Sequence, residues 1–202
     1  MSKLEKFLTI GNRQVVINHL KKMRNPAKIV HALRHEDWQV QTTAMRALAR
    51  QGRASAPFAP KIRDAITENL FTENIPVAFS ALSQMGPEAA PSAVKIIEET
   101  LRKRRSVITH WEGFSHTEIG ELFSQFGPKA APHFALLLNG SDLDAVELAA
   151  KVLAKIGTPI EKEKLWEKIQ ELRKSKKDTL ETKVALKMAI DEIDKRYPSA
   201  SS

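Results

Sequence analysis

The sequence predicts an all-α solenoid, a row of about four to five helix pairs closed by a C-terminal capping helix. Three observations predict it. A glycine–alanine–proline phrase recurs along the chain, as Gly52-Arg-Ala-Ser-Ala-Pro57, Gly86-Pro-Glu-Ala-Ala-Pro91 and Gly127-Pro-Lys-Ala-Ala-Pro132. Small and apolar residues recur at fixed offsets before each glycine. Ala, Leu, Ile, Lys and Glu dominate the composition, with 42% hydrophobic residues, 6% aromatic, 8 Gly and 10 Pro in 202 residues. That mixture favours helix and disfavours both disorder and an all-β fold.

The repeat is read from Gly52, Gly86, Gly127 and Gly157, spaced 34, 41 and 30 residues apart. Eight positions upstream lie Ala44, Ala78, Ile119 and Ala149; four upstream lie Leu48, Leu82, Phe123 and Leu153; directly before lie Gln51, Met85, Phe126 and Ile156. These offsets mark one face of a helix that stops at the glycine. Glycine there supplies a left-handed cap. The following proline opens a second helix, where its missing N–H costs nothing. A partial first repeat covers about 11–35, with its turn at Met23-Arg-Asn-Pro26. Further repeats are expected at about 37–70, 74–105, 116–140 and 142–174.

Helix starts are marked by Ser2-x-x-Glu5, Ser115-x-x-Glu118 and Thr158-Pro-Ile-Glu161, which have the capping-box form. Asp37, Asn74 and Asp178 are further N-cap candidates. The capping helix is expected at about 178–197, with Leu186, Ile190, Ile193 and Tyr197 as its apolar stripe and a polar outer face. A disordered tail is expected from 198 to 202.

The absence of cysteine excludes disulfides, thiolate metal sites and a thiol nucleophile. The charged N-terminal stretch gives no secretory h-region, and no run reaches the roughly 20 apolar residues of a membrane span, so a cytoplasmic location is the expectation. The net charge is +8, and residues 1–70 hold 13 basic against 5 acidic side chains. Such a segment suits a polyanion or an acidic partner, and it equally suits an ordinary solvated surface.

The phrases Asp37-x-x-Val40-x-x-x-Ala44-x-x-Ala47-Leu48-x-x-x-Gly52 and Asp142-x-x-x-Val146-x-x-Ala149-x-x-x-Leu153-x-x-x-Gly157, with the Ala-Ala-Pro phrases above, resemble HEAT repeats of the short PBS-lyase type. The resemblance covers roughly residues 11–175. It implies antiparallel helix pairs stacked into a right-handed superhelix, with a concave wall of second helices as the ligand surface. Where such repeats often carry Arg after the Val, this chain has Gln41 and Glu147, which removes the basis for an Asp–Arg ladder.

Candidate binding residues fall into three groups. Lys28, Lys61 and Lys95 recur 33–34 residues apart, and stacked second helices would align them as a cationic row that breaks at Leu136. Arg102, Lys103, Arg104 and Arg105 run into an insertion carrying Trp111, where cations and a ring could grip phosphates or an apolar side chain. The plainer reading is a helix C-terminus favouring cations and a ring packed under its loop. Arg46 and Arg50 follow Trp38 on a cationic helix, with Trp38 read as a core anchor in preference to a stacking platform. Trp166 is read as a contact between repeats. His31 with His35, and His110 and His116 with Glu112, lack a full ligand set, so no metal or other cofactor is expected. No phosphate loop, nucleophile elbow or paired-His zinc motif occurs.

The leading expectation is a non-catalytic scaffold that binds a protein or peptide along the concave groove. The alternative is DNA or RNA binding through the basic surface. By resemblance alone, HEAT-like proteins also include alkylated-base DNA glycosylases and bilin lyases.

Overall fold

The computed structural model describes residues 2–69, 74–104, 121–174 and 179–198, with the side chains of 69, 103 and 104 left aside. Among the described residues every regular element is helical. The contacts group the chain into two compact units, Met1–Ile96 and Ile97–Ser202.

The first unit opens with α1 (Lys3–Ile10) and α2 (Arg13–Lys22). Ser2 and Glu5 close the expected capping box on α1. A short α3 (Pro26–Ile29), with proline in its first turn, continues into a 3-10 stretch, Val30–Arg34. Next come α4 (Trp38–Ala49), capped by the Asp37 carboxylate on the Gln39 N–H, and α5 (Ala59–Asn69). Then follow α6 (Asn74–Met85) and α7 (Ala90–Arg104), whose first turns belong to this unit. α2 lies against α4 and α4 against α6, while the 3-10 stretch after α3 lies against α5.

The offsets read from the sequence are the core positions. Ala44, Ala78, Leu48 and Leu82 are all fully buried. Alanine lets consecutive first helices approach, and each buried leucine contributes about 2 kcal/mol of transfer free energy. Met45, Ile62, Ile66 and Phe79 fill the space between the helices.

The second unit contains a helical stretch over 121–124, α8 (Ala131–Ala135) with a 3-10 continuation at Leu136–Asn139, α9 (Leu143–Ile156), α10 (Pro159–Arg173) and α11 (Leu180–Arg196). Phe123, Phe126 and Phe134 pack with ring centroids 5.2–5.9 Å apart. α9 lies against α8 and α11, and α10 against both as well. Arg196, at the end of α11, donates to the Leu153, Ala154 and Lys155 carbonyls, the last of α9. The guanidinium thereby satisfies the Ala154 and Lys155 carbonyls at the open end of the helix and shares the Leu153 carbonyl with the Gly157 N–H.

Several expectations change here. Gly52, Gly86 and Gly127 are left-handed, with φ of 53°, 94° and 73°. Gly157 is not; its φ is −62°. It is required by space, because a Cβ there would lie 2.5 Å from the Leu153 carbonyl oxygen and 2.9 Å from Ile193 Cδ1. Pro57 lies inside a 3-10 stretch, Gly52–Phe58, so α5 starts two residues later than the proline suggests. Trp38 is 42% exposed and is no core anchor, because it is the first residue of α4 and the buried face begins at Val40. Tyr197 is also 42% exposed; it falls just past the end of α11, under the Arg196 guanidinium. Ser115, Glu118, Ile119, Asp178 and residues 199–202 lie outside the described residues.

Candidate functional site

The second-helix row of the first unit holds a groove. Val30, Leu33 and Arg34 line one side, and Lys61, Asp64, Ala65 and Glu68 of α5 line the other, around a volume of about 380 Å³. Lys61, Asp64 and Glu68 share one side of α5 because they are three and four residues apart. Asp64 accepts from its neighbour Arg63 at 2.6 Å. The groove therefore offers an apolar floor with cations and carboxylates together.

Lys28, Lys61 and Lys95 are all exposed on second-helix segments of this unit, at equivalent repeat positions. Lys28 and Lys61 make no ion pair among the described residues. The two acids beside Lys61 were not singled out by the sequence reading, although their spacing was visible in it.

Arg46 and Arg50 are exposed and four residues apart near the C-terminal end of α4. Arg50 has structural work there. Its guanidinium donates to the Leu20 and Lys21 carbonyls at 3.4 Å, the last turn of α2. Lys21, Lys22, Arg24, Arg46 and Arg53, all exposed along this turn edge, have no acidic partner among the described residues.

In the second unit, Arg102 is bound to Glu99 at 2.5 Å and lines a shallower groove with Glu98, Leu101, Leu136, Leu137 and Asp142. Leu136, where the lysine row breaks, is 54% exposed at this groove. Arg105 and Trp111, and the side chains of Lys103 and Arg104, lie outside the described residues. Trp166 is half-buried, with Lys187 of α11 5.5 Å over its ring, so it joins α10 to α11.

A buried polar ladder crosses successive first helices. His35, 3% exposed, accepts the Asp37 N–H on Nδ1 at 2.9 Å and places Nε2 3.0 Å from the Gly11 carbonyl. The ring is thus the Nε2–H tautomer. Gln41 donates to the His35 carbonyl at 2.7 Å, and Asn74 donates to Gln41 Oε1 at 3.1 Å. Thr42 donates its hydroxyl to Asn74 Oδ1. Gln41 therefore links neighbours with neutral amides. Asn74, expected as a cap, turns its side chain inward. His31 points elsewhere, 3.6 Å from Glu5, so the two histidines do not converge.

Among the described residues no helix is long and apolar enough to cross a membrane. Neither a family model nor a curated protein matches the chain. Two crystal structures of engineered proteins from the Northeast Structural Genomics Consortium are similar to it in part. One has 17% identity over 95% of this chain and 87% of its own, with a TM-score of 0.41. The other has 20% identity over 96% of this chain and all (100%) of its own, with a TM-score of 0.34.

Proposed function

We propose that the helix pairs form an α-solenoid of the HEAT-like type and that the protein is an interaction scaffold for a protein or peptide partner. The solenoid reading is supported by the first unit, where α2 packs on α4, α4 on α6 and the 3-10 stretch after α3 on α5. The binding reading rests on the groove at Lys61. A polyanion would meet Asp64 and Glu68 beside the cations Arg34 and Lys61, at a cost in repulsion. A peptide carrying both charges around an apolar residue fits that lining. Peptides enriched from a random display library should therefore lose at least about tenfold in affinity on Lys61→Glu or Asp64→Lys, a change of about 1.4 kcal/mol. Enriched peptides that bind both variants as they bind the parent would overturn the reading.

A second reading has its own support, the turn edge where Lys21, Lys22, Arg24, Arg46 and Arg53 carry no acidic partner among the described residues. Such an edge suits a phosphate backbone. Random-sequence DNA or RNA should then bind at low salt, with affinity falling steeply as salt rises. No binding in low salt ends this reading.

A further inference from the structure

Asn139 and Gly140 form a dipeptide unlike any other in the chain. The sequence holds six asparagines, and the other five precede Arg13, His19, Pro26, Leu70 and Ile75. A side chain or proline ring on the following residue crowds its nitrogen, whereas glycine leaves the nitrogen open to a neighbouring carbonyl carbon.

Both residues are exposed, at the end of the 3-10 stretch Leu136–Asn139. Among the described residues the Asn139 side-chain amide makes no hydrogen bond. The Gly140 N–H donates to the Leu137 carbonyl at 3.3 Å, past the usual limit of about 3.2 Å. A last turn held this way opens locally, without unfolding of the rest. Lys168 of α10 opposes the opening. Its side chain is 4% exposed and donates to the Gly140 carbonyl at 2.9 Å, while Glu171 holds the same ammonium at 2.9 Å.

We propose that Asn139 is a site of spontaneous deamidation and that the Lys168 contact restrains its rate. The Gly140 nitrogen attacks Asn139 Cγ and gives up its proton to solvent. A C–N bond forms, the Cγ–Nδ2 bond breaks, and ammonia leaves with a proton taken from water. A five-membered succinimide remains, and water opens one or other of its carbonyls to give aspartate or isoaspartate. No electrons are transferred. Either product adds a carboxylate beside the groove lined by Leu136, Gly140 and Asp142. Isoaspartate also lengthens the main chain by one carbon, which carries the Gly140 carbonyl off Lys168 and leaves that buried ammonium to Glu171 alone.

Incubation of the full chain at mildly alkaline pH, followed by peptide mass mapping, tests this. Asn139 should gain one mass unit well ahead of the other five asparagines, with both products present. Gly140→Ala should slow the gain at least about tenfold. The fold should be unchanged, because φ there is −74° and an added Cβ would lie 3.4 Å from the Leu137 carbonyl oxygen, an ordinary contact. Lys168→Met, with its helical circular dichroism checked, should convert several-fold faster than the parent. Hydrogen exchange of the parent reads the same turn independently of any variant: the Gly140 amide should be protected, but less than the amides of α9. Conversion at Asn139 no faster than at the other asparagines overturns the proposal, as does a Gly140→Ala chain that converts like the parent. A folded Lys168→Met chain that converts no faster overturns the restraint. A Gly140 amide as protected as α9 leaves no local opening, and an unprotected one leaves no restraint; either result overturns the proposal too.

Discussion

Asn74→Ala should be among the most damaging substitutions in the first unit. Asn74 is fully buried, accepts the Thr42 hydroxyl proton and donates to Gln41 Oε1 at 3.1 Å. Truncation removes both bonds and leaves two buried polar groups without partners. Gln41 and Thr42 are 1% and 7% exposed, so water does not readily replace what is lost. A stranded buried group costs about 1–3 kcal/mol, so the loss should total about 3–4 kcal/mol. Thr42→Val alone should cost less, because one of the two bonds survives. In a double-mutant cycle the pair Thr42→Val and Asn74→Ala should be non-additive by about 1 kcal/mol. Urea unfolding followed by circular dichroism measures all of this, provided the slope against urea stays constant. A loss under about 0.5 kcal/mol, or strict additivity, would refute the claim that this ladder joins consecutive first helices.

Ser55→Ala should stabilise the protein by about 1–2 kcal/mol in the same assay, because its hydroxyl is fully buried without a partner. The equivalent residues one and two repeats on, Ala89 and Ala130, already carry no hydroxyl. Arg196→Ala should destabilise the second unit by about 1–2 kcal/mol through the loss of the cap on the Ala154 and Lys155 carbonyls of α9. Protection of α9 amides in hydrogen exchange should fall with it. Gly86→Ala should cost at least about 1 kcal/mol, since φ there is 94°, and Gly157→Ala a comparable amount through contact with the Leu153 carbonyl. Equal stability of either glycine variant and the parent would contradict the two different reasons given for those glycines.

The all-helical character and the core positions were legible because they depend on local periodicity. Ala44, Leu48, Ala78 and Leu82 were placed on one face by spacing alone, and all four are buried. The Ser2 and Thr158 boxes were legible for the same reason: three residues carry the whole signal. What escaped involves partners distant in sequence. Gln41 and Asn74 are 33 residues apart, and nothing local says that their amides meet. The mixed charge of the Lys61 groove depends on Arg34 standing opposite α5 across the groove. Trp38 and Tyr197 were misplaced because an aromatic at a helix end continues the apolar pattern without reaching the core. Gly157 shows that one residue type at one repeat position can answer either a backbone angle or a lack of room.

Contact between consecutive first helices is tested most directly by a cross-link, which the cysteine-free sequence permits without background. Thr42→Cys with Asn74→Cys places two thiols where side chains of α4 and α6 touch. Mild oxidation should close an intramolecular disulfide, while Gln39→Cys with Asn74→Cys, from the exposed side of α4, should stay reduced. A Thr42/Asn74 pair that remains as free thiols, or links only between molecules, would contradict the stacking.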